Sequence, residues 1–340
     1  MTLFLSIAFL VGLFILELIY FKLADHFNII DHPNERSSHT SITLRGGGVI
    51  FPLAAVLFYL CFSFQYPYFL AGLVAIAVIS FLDDLHTLNK RVRIITHLLA
   101  VGLLFYQWGL FALPWYWVIL VAIVVIATIN AYNFMDGING ITGSYSLLTI
   151  LSLYFINERV VAFTSSDFLL VMVLSLLVFN FFNFRNKAKC FAGDVGSISM
   201  AFIIIFLTGQ LILQTQNLTY FCLLLVYGLD AVTTIVFRLI RKENIVLAHR
   251  SHFYQYLANE KKWPHLGVSG LYVSVQLLIN ALVIWVFSNA EGFEESFYWL
   301  FGLVLISGLV FLLVRIEVEG KERLFKREEA EILELESVEG

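Results

Sequence analysis

Charge is what this sequence has least of. Only 14% of its 340 residues are Asp, Glu, Lys or Arg, against about 25% in soluble domains. That shortfall excludes an ordinary soluble globular fold, and a mean hydropathy of +0.86 agrees. Cysteine is scarce too. Cys61, Cys190 and Cys222 show no CxxC spacing, which removes a disulfide framework or a zinc ribbon from consideration. No Pro- or Ser-rich linker divides the chain, and no internal repeat is visible. With 21 Lys and Arg against 25 Asp and Glu there is no basic patch, so nucleic acid is not an expected partner. The first apolar run lacks a basic segment before it, since its first cation is Lys22, so a cleaved signal peptide is not expected.

What the chain has is apolar length. Hydrophobic residues make up 60% of it, with 33 Phe and 15 Tyr suited to lipid-facing and interfacial positions. They gather into blocks at about 2–22, 46–64, 67–82, 94–111, 115–132, 140–156, 167–184, 197–214, 218–237, 270–288 and 297–315, each near the length a helix needs to cross ~30 Å of hydrocarbon. The expectation is an all-α polytopic membrane protein with about eleven spans. Residues 1–315 would form a single transmembrane catalytic domain and 316–340 a charged tail holding nine Glu against four Lys and Arg. With eleven spans, Arg159 alone of the Lys and Arg falls on the opposite side from the rest. Positive loops stay in the cytoplasm, which puts the N-terminus outside and the C-terminus inside. All eight His sort to the cytoplasmic side as well, together with Asp83, Asp84, Asp136 and Asp194.

The third block ends in Ser80-Phe81-Leu82-Asp83-Asp84. Two adjacent carboxylates at the negative end of a helix dipole are placed against roughly 0.3–1 kcal/mol each, so a compensating cation or a proton-accepting role is expected. The fifth block runs into Asn130-Ala131-Tyr132-Asn133-Phe134-Met135-Asp136-Gly137-Ile138-Asn139-Gly140. Asn130, Asn133 and Asp136 are spaced to share one helix face, and Gly137 and Gly140 then break the helix and admit a ligand close to the backbone. An Asn/Gly turn alone would not need that polar stripe.

The eighth block opens Ala192-Gly193-Asp194-Val195-Gly196-Ser197, where free helix N–H groups attract phosphate. Asp194 is read either as the helix N-cap or as a ligand for a hard cation such as Mg²⁺. Arg45-Gly46-Gly47-Gly48 opens the second block, after Arg36-Ser37-Ser38-His39, and offers an anion nest or merely a flexible entry. In the longest cytoplasmic loop, His249-Arg250-Ser251-His252 places two imidazoles around a guanidinium, a set that could grip a diphosphate or stand solvated. No HExxH is present, which argues against a zinc hydrolase. Asp230, inside the ninth block, is expensive at that depth and is read as functional or as an interhelical hydrogen-bonding group.

The set DD, NxxNxxDGINGI, GDxGS and HRSHxYQ, in this order over residues 1–315, resembles the polyprenyl-phosphate N-acetylhexosamine-1-phosphate transferases. That family makes the first lipid intermediate of peptidoglycan and initiates O-antigen and enterobacterial common antigen. The HRSH and NFMDGING forms look more like the O-antigen branch. The resemblance implies a multi-pass enzyme of the bacterial inner membrane with its active site on the cytoplasmic face. It would transfer sugar-1-phosphate from a UDP-sugar to undecaprenyl phosphate and release UMP, as the first step of a cell-surface polysaccharide. Mg²⁺, with Mn²⁺ as alternative, would be the cofactor, held by Asp194 with Asp83. Asp83, Asp84, His249, Arg250 and His252 would be catalytic. Asn130, Asn133, Asp136, Asn139, Arg45, Gly46 and Gly47 would bind substrate. Many members have Asp where this chain has Asn139, so a carboxylate role does not apply there. The expected partners are undecaprenyl phosphate, a UDP-N-acetylhexosamine or its 6-deoxy derivative, and membrane lipid, with a homodimer as the candidate assembly.

Two other classes compete. A secondary transporter would use Asp230 and Asp136 in an ion path, but transporters place such groups at the midplane of repeated halves. A non-catalytic membrane protein that binds lipid-linked sugars would not need the acidic set.

Overall fold

The structure, a computed structural model, describes residues 1–31, 42–62, 66–86, 88–245, 249–290 and 292–326. In chain order the helices are α1 (Leu3–His26), α2 (Ile50–Cys61), α3 (Pro67–Leu85), α4 (Lys90–Trp108), α5 (Trp115–Phe134), α6 (Ile141–Arg159), α7 (Ser166–Asn183), α8 (Gly193–Thr215), α9 (Leu225–Ile240), α10 (Phe253–Asn259), α11 (His265–Leu282), α12 (Gly292–Glu319) and α13 (Lys321–Phe325). A 3₁₀ turn, Leu218–Leu224, leads into α9, and a π-helical turn, Val283–Phe287, extends α11. The only strands among the described residues are β1 (Ile30–Asp31) and β2 (Thr43–Leu44), paired antiparallel with Ile30 opposite Leu44.

The apolar blocks are helical because a helix pairs every backbone group within its own segment, which hydrocarbon demands. Local chemistry marks the ends. Thr2, Asn89, Ser165 and Asn217 each cap with a side-chain oxygen, Pro67 sits in the first turn of α3, and Gly109 closes α4 at φ 69°. Eight helical segments among the described residues are long and apolar enough to cross a membrane, namely α1, α3, α5, α7, α8, α9 with its 3₁₀ turn, α11 with its π turn, and α12. The helix over Gly47–Cys61 is shorter. Lys90, Arg91 and Arg93 make the start of α4 polar. In α6, Ser146, Thr149 and Ser152 are buried and bond inward, Ser146 to the Tyr132 hydroxyl at 2.7 Å and Ser152 to the Asn280 amide at 2.9 Å.

The bundle has a centre and a rim. Of the most apolar stretch of α8, 89% is buried, against none of α12. Around α8 pack α3, α5, α2 and α6, with α4 beyond α3 and α7 beside α6. The site is therefore built where the central helix begins. The expected boundary at 315/316 falls inside α12, where buried Arg315 and Glu319 pair. Residues 327–340 of the expected tail, and Arg36, Ser37, Ser38, His32 and His39, lie outside the described residues.

Candidate active site

Two glycine-containing segments, far apart in sequence, run side by side at the start of α8. The Phe191 N–H donates to the Leu44 carbonyl at 2.8 Å, Gly47 N–H to Phe191 at 2.8 Å and Gly48 N–H to Ala192 at 3.1 Å. The glycines serve proximity: a Cβ on Gly196 would lie 2.6 Å from the Gly48 Cα, and one on Gly193 would lie 2.6 Å from an Asp84 oxygen. Gly46 and Gly193 hold φ +80° and +71°, values that L side chains rarely adopt. This corrects the anion-nest reading of Arg45-Gly46-Gly47. The amides of Gly47 and Gly48 are already given to carbonyls, so what the segment presents is the Arg45 guanidinium.

Asp84 supplies the anion that the N-terminus of α8 calls for. Its Oδ1 accepts from the Asp194 N–H and its Oδ2 from the Val195 N–H, both at 3.0 Å. Asp194 is not the N-cap. That position is Ala192, in helical conformation and without a side-chain bond, so a residue of α3 caps α8 from outside. It also occupies two of the N–H groups expected to await phosphate. The helix dipole thus favours Asp84, and Arg45 Nε adds a contact to its Oδ1 at 2.8 Å. Asp83 turns the other way, accepting from the Leu88 N–H at 2.8 Å and meeting Arg93 at 2.7 Å. The repulsion expected of the adjacent acids is answered by two arginines.

Asp194 lies between those arginines but close to neither, with Arg45 at 3.7 Å and Arg93 at 4.0 Å from its two oxygens. Its carboxylate is the least committed of the three and keeps 21% of its surface open. The Asn133 amide also bonds to it, and Asn133 Oδ1 accepts from the Ser197 hydroxyl at 2.7 Å. Burial would lower the Arg45 guanidinium pKa, but Asp84, Asp194 and Asp31 together hold it above its usual value.

Asp136 joins this group from the α5–α6 loop. The continuous helical stripe Asn130–Asn133–Asp136 is not formed, because α5 ends at Phe134. Asn130 is exposed and touches none of the acids by a hydrogen bond among the described residues. Asp136 accepts from the Thr142 hydroxyl at 2.6 Å. Protein atoms crowd it although part of its surface stays open, and this burial, reinforced by Asp194 and Asp84 against the Thr142 bond, pushes its carboxyl up to about 7. Asn139 points elsewhere. Its amide donates to the carbonyls of Arg185 and Asn186 at 3.0 and 3.1 Å, which ties the 185–190 loop to this turn.

The histidine segment meets the same turn at Phe134. Rings of His249 and His252 stack at 5.0 Å, and each lies just over 6 Å from the Phe134 ring. The Tyr254 hydroxyl donates to the Phe134 carbonyl at 2.9 Å and fills the space that Gly137 leaves. Burial, with His252 and Arg238 nearby, pushes the His249 imidazole down to about 3. Residues 133–137 thereby touch both groups, the acid cluster through Asn133 and the histidine segment through Phe134 and Gly137. Sequence reasoning missed Arg93 and Thr142. Arg93 follows the acid pair in a cationic run, Lys90-Arg91-Val92-Arg93, but nothing in the run distinguishes the one that turns inward.

Among the described residues no three His, Cys, Asp or Glu side chains gather closely enough to hold a metal by themselves. Mg²⁺ makes no such demand, since it takes one or two carboxylates and fills the rest of its shell with water and substrate phosphate. The loosely engaged Asp194 carboxylate fits that use. Asp84 does not, because both its oxygens are taken.

The family model described as Glycosyl transferase family 4 matches residues 66–212, the stretch carrying Asp83, Asp84, Arg93, Asn133, Asp136 and Asp194. The chain is 25% identical over 344 residues, 92% of each chain, to a probable undecaprenyl-phosphate N-acetylglucosaminyl 1-phosphate transferase of Bacillus subtilis. It is 27% identical to an undecaprenyl-phosphate alpha-N-acetylglucosaminyl 1-phosphate transferase of Thermotoga maritima, covering 82% of this chain and 85% of the relative. A phospho-N-acetylmuramoyl-pentapeptide-transferase of Dictyoglomus thermophilum is 26% identical, over 71% of this chain and 83% of its own.

Proposed function

The chain belongs to glycosyl transferase family 4, and from that premise we propose that it transfers an N-acetylhexosamine-type sugar-1-phosphate from a UDP-sugar to undecaprenyl phosphate. The products are UMP and an undecaprenyl-diphospho-sugar, the starting lipid of a cell-surface polysaccharide. The observation that carries this reading is the convergence of Arg45 and Arg93 on Asp83, Asp84 and Asp194 beside the loop of Asn133 and Asp136. Phosphoryl transfer asks mainly for alignment and for charge to be neutralised. This site supplies both.

In the reaction an oxygen of the lipid phosphate attacks the β-phosphorus of the UDP-sugar, and the bond from that phosphorus to the UMP oxygen breaks. Arg45 and Arg93, half-exposed and shared among three carboxylates, can turn toward an arriving phosphate without leaving an acid wholly uncompensated. Asp83, whose contact with Arg93 that movement would loosen, can then take the proton of a monoprotonated lipid phosphate. Asn133, steadied by Ser197, and Asp136, steadied by Thr142, line the donor side. His249, Arg250 and His252 border the diphosphate from across the loop. Mg²⁺, when bound, would be held by Asp194 and would supply charge neutralisation on the diphosphate. Asp83 is the weaker second ligand, since Leu88 and Arg93 engage both its oxygens.

The finer topology of the proposal is eleven spans, an external N-terminus and a cytoplasmic C-terminus in the inner membrane. Lys22, Lys187 and Lys189 line one cavity of about 570 Å³ next to Thr43 and Leu44, which fits the placement of the loops after the first and seventh spans on one side. Reporter fusions at Asn157 and Gly340 should lie in opposite compartments, and agreement between them would refute this arrangement.

The transporter reading loses Asp230, which is hydrogen-bonded on both oxygens and serves as an anchor for backbone and side-chain donors. The test is UMP release by the purified protein with undecaprenyl phosphate, Mg²⁺ and a panel of UDP-sugars, with the lipid product weighed by mass spectrometry. UDP-N-acetylglucosamine heads the panel, because the names of two relatives contain that sugar. A lipid product heavier by one sugar phosphate is expected from at least one donor. No UMP from any donor would overturn the proposal.

A further inference from the structure

Asp230 stands apart from the carboxylate cluster and serves the histidine segment instead. None of its surface is exposed. Its Oδ1 accepts from the Phe253 N–H at 2.9 Å and the Thr234 hydroxyl at 3.1 Å, with His252 Nδ1 at 3.3 Å. Its Oδ2 accepts from the Tyr254 N–H at 3.2 Å and the Tyr272 hydroxyl at 2.6 Å. A carboxylate of α9, with a phenol of α11, thus holds the backbone at the start of α10.

A second hold comes from α12. Arg315, 1% exposed, donates through Nε to Glu319 at 2.5 Å and through Nη1 to the Thr233 and Thr234 hydroxyls, each at 2.9 Å. Its Nη2 reaches the Ser251 carbonyl at 3.0 Å. The Phe237 and Phe253 rings flank the guanidinium at 5.1 and 5.8 Å, and Asp230 lies 4.0 Å away. Residues 251–254 are therefore gripped at Ser251 from α12 and at the next three residues from α9. His252 is itself 3% exposed, and its Nε2 has no hydrogen-bond partner among the described residues.

Joining a loop to a membrane bundle does not require ions. Burying an acid and a guanidinium among apolar helices is costly, and apolar packing of the same volume often does as well. What the ionic join adds is direction, since a forked guanidinium and a two-oxygen acceptor admit few arrangements. The ring so directed stacks on His249 over Phe134, two residues before Asp136. From this geometry we infer that Asp230 and Arg315 are positioning residues for the reaction, acting through His252, whose ring they hold against the end of α5. The inference rests on the proposed transferase function.

The experiment is a double-mutant cycle on the full-length protein in lipid nanodiscs, reading kcat and KM for the UDP-sugar. Arg315→Lys and Asp230→Asn are each made in the native and in the His252→Gln background. In the native background each should lower kcat by about 10²-fold, the cost of misplacing a reacting group by roughly 1 Å, and leave KM little changed. In the His252→Gln background neither should lower it further, because groups that act through one another are not additive. Equal losses in both backgrounds, or normal turnover by His252→Gln, would overturn the inference. Should Asp230→Asn fail to fold, Tyr272→Phe and Thr234→Val each delete one of its donors with shape kept, and the same non-additivity is required of them. If the native protein released no UMP from any donor, the transferase reading would fail by itself. The hold on the ring is then read from ¹⁵N shifts of His252. These should change on Arg315→Lys, and unchanged shifts would refute the positioning role.

Discussion

Asp194 and Asp230 are both carboxylates inside apolar helices, yet their surroundings differ in kind. Asp194 meets its nearest cations at 3.7 and 4.0 Å, while Asp230 collects four N–H and O–H donors within 3.2 Å. A carboxylate whose donors are all in place has nothing left to offer a ligand, and its worth lies in the backbone it holds. One that faces arginines at arm's length keeps lone pairs free, and solvent reaches it. In this chain, then, depth of burial separates function from support less well than saturation of the acceptor does. Asp83 and Asp84 fall between the two, each bound by an arginine, Asp83 also by one backbone N–H and Asp84 by two.

The comparison can be broken most sharply at Asp194. Asp194→Asn should fold and extract normally, because the residue caps nothing, while turnover falls by roughly 10³-fold or more, as when a principal electrostatic contact to the transition state is lost. UMP release beside a thermal unfolding curve checks both halves, and full turnover at ordinary Mg²⁺ would defeat the assignment. Next in size is the reverse case. Asp230→Ala strips the Phe253 and Tyr254 amides of their common acceptor, removes the carboxylate 4.0 Å from Arg315 and should cost about 3–5 kcal/mol of stability, the range for breaking a buried ion pair from one side. Denaturation in detergent measures it, and a native-like midpoint would show that the network is not structural.

The smallest effect concerns Asp136, whose carboxyl is held up at about 7. A raised carboxyl means that the folded protein binds the proton more tightly than the unfolded chain does. Its contribution is therefore fully present below the ordinary carboxylate range and is lost as pH rises from there toward 7. Asp136→Asn should flatten that decline by a fraction of the ~1.4 kcal/mol per pH unit that one full proton would give. Unfolding midpoints of the two proteins between pH 4 and 8 provide the check, and parallel curves would refute it.

Much of this was legible in the chain itself. Apolar block length placed the helices, and clustering of Asp, Asn, Gly and His at block ends pointed to the residues that now surround the α5–α6 turn. Contacts between those ends were not legible. Asp84 capping α8 joins positions 110 residues apart, and no local signal announces it, so the sequence alone leaves Asp194 open as cap or as cation ligand. Gly46 and Gly47 read as a nest because consecutive glycines suit one; that Phe191 would take the Gly47 amide depends on β-like pairing decided by tertiary packing. Asn130 fitted the helical spacing, but α5 stops before Asp136 can complete the stripe. Arg93 and Arg315 were counted only as charges sorted to one side, because a hydropathy pattern places a cation in a loop or helix end without saying which acid it will find.

The contact between Gly48 and Gly196 has a consequence for anyone recombining this protein with its relatives. Neither position admits a side chain while the other stays where it is, so residues 44–48 and 190–196 behave as one heritable part, although some 140 positions separate them. A crossover point between them would join surfaces shaped for different partners, and a library that randomises one segment alone would be mostly empty. Segments exchanged to alter donor choice should travel as that pair, or leave both untouched.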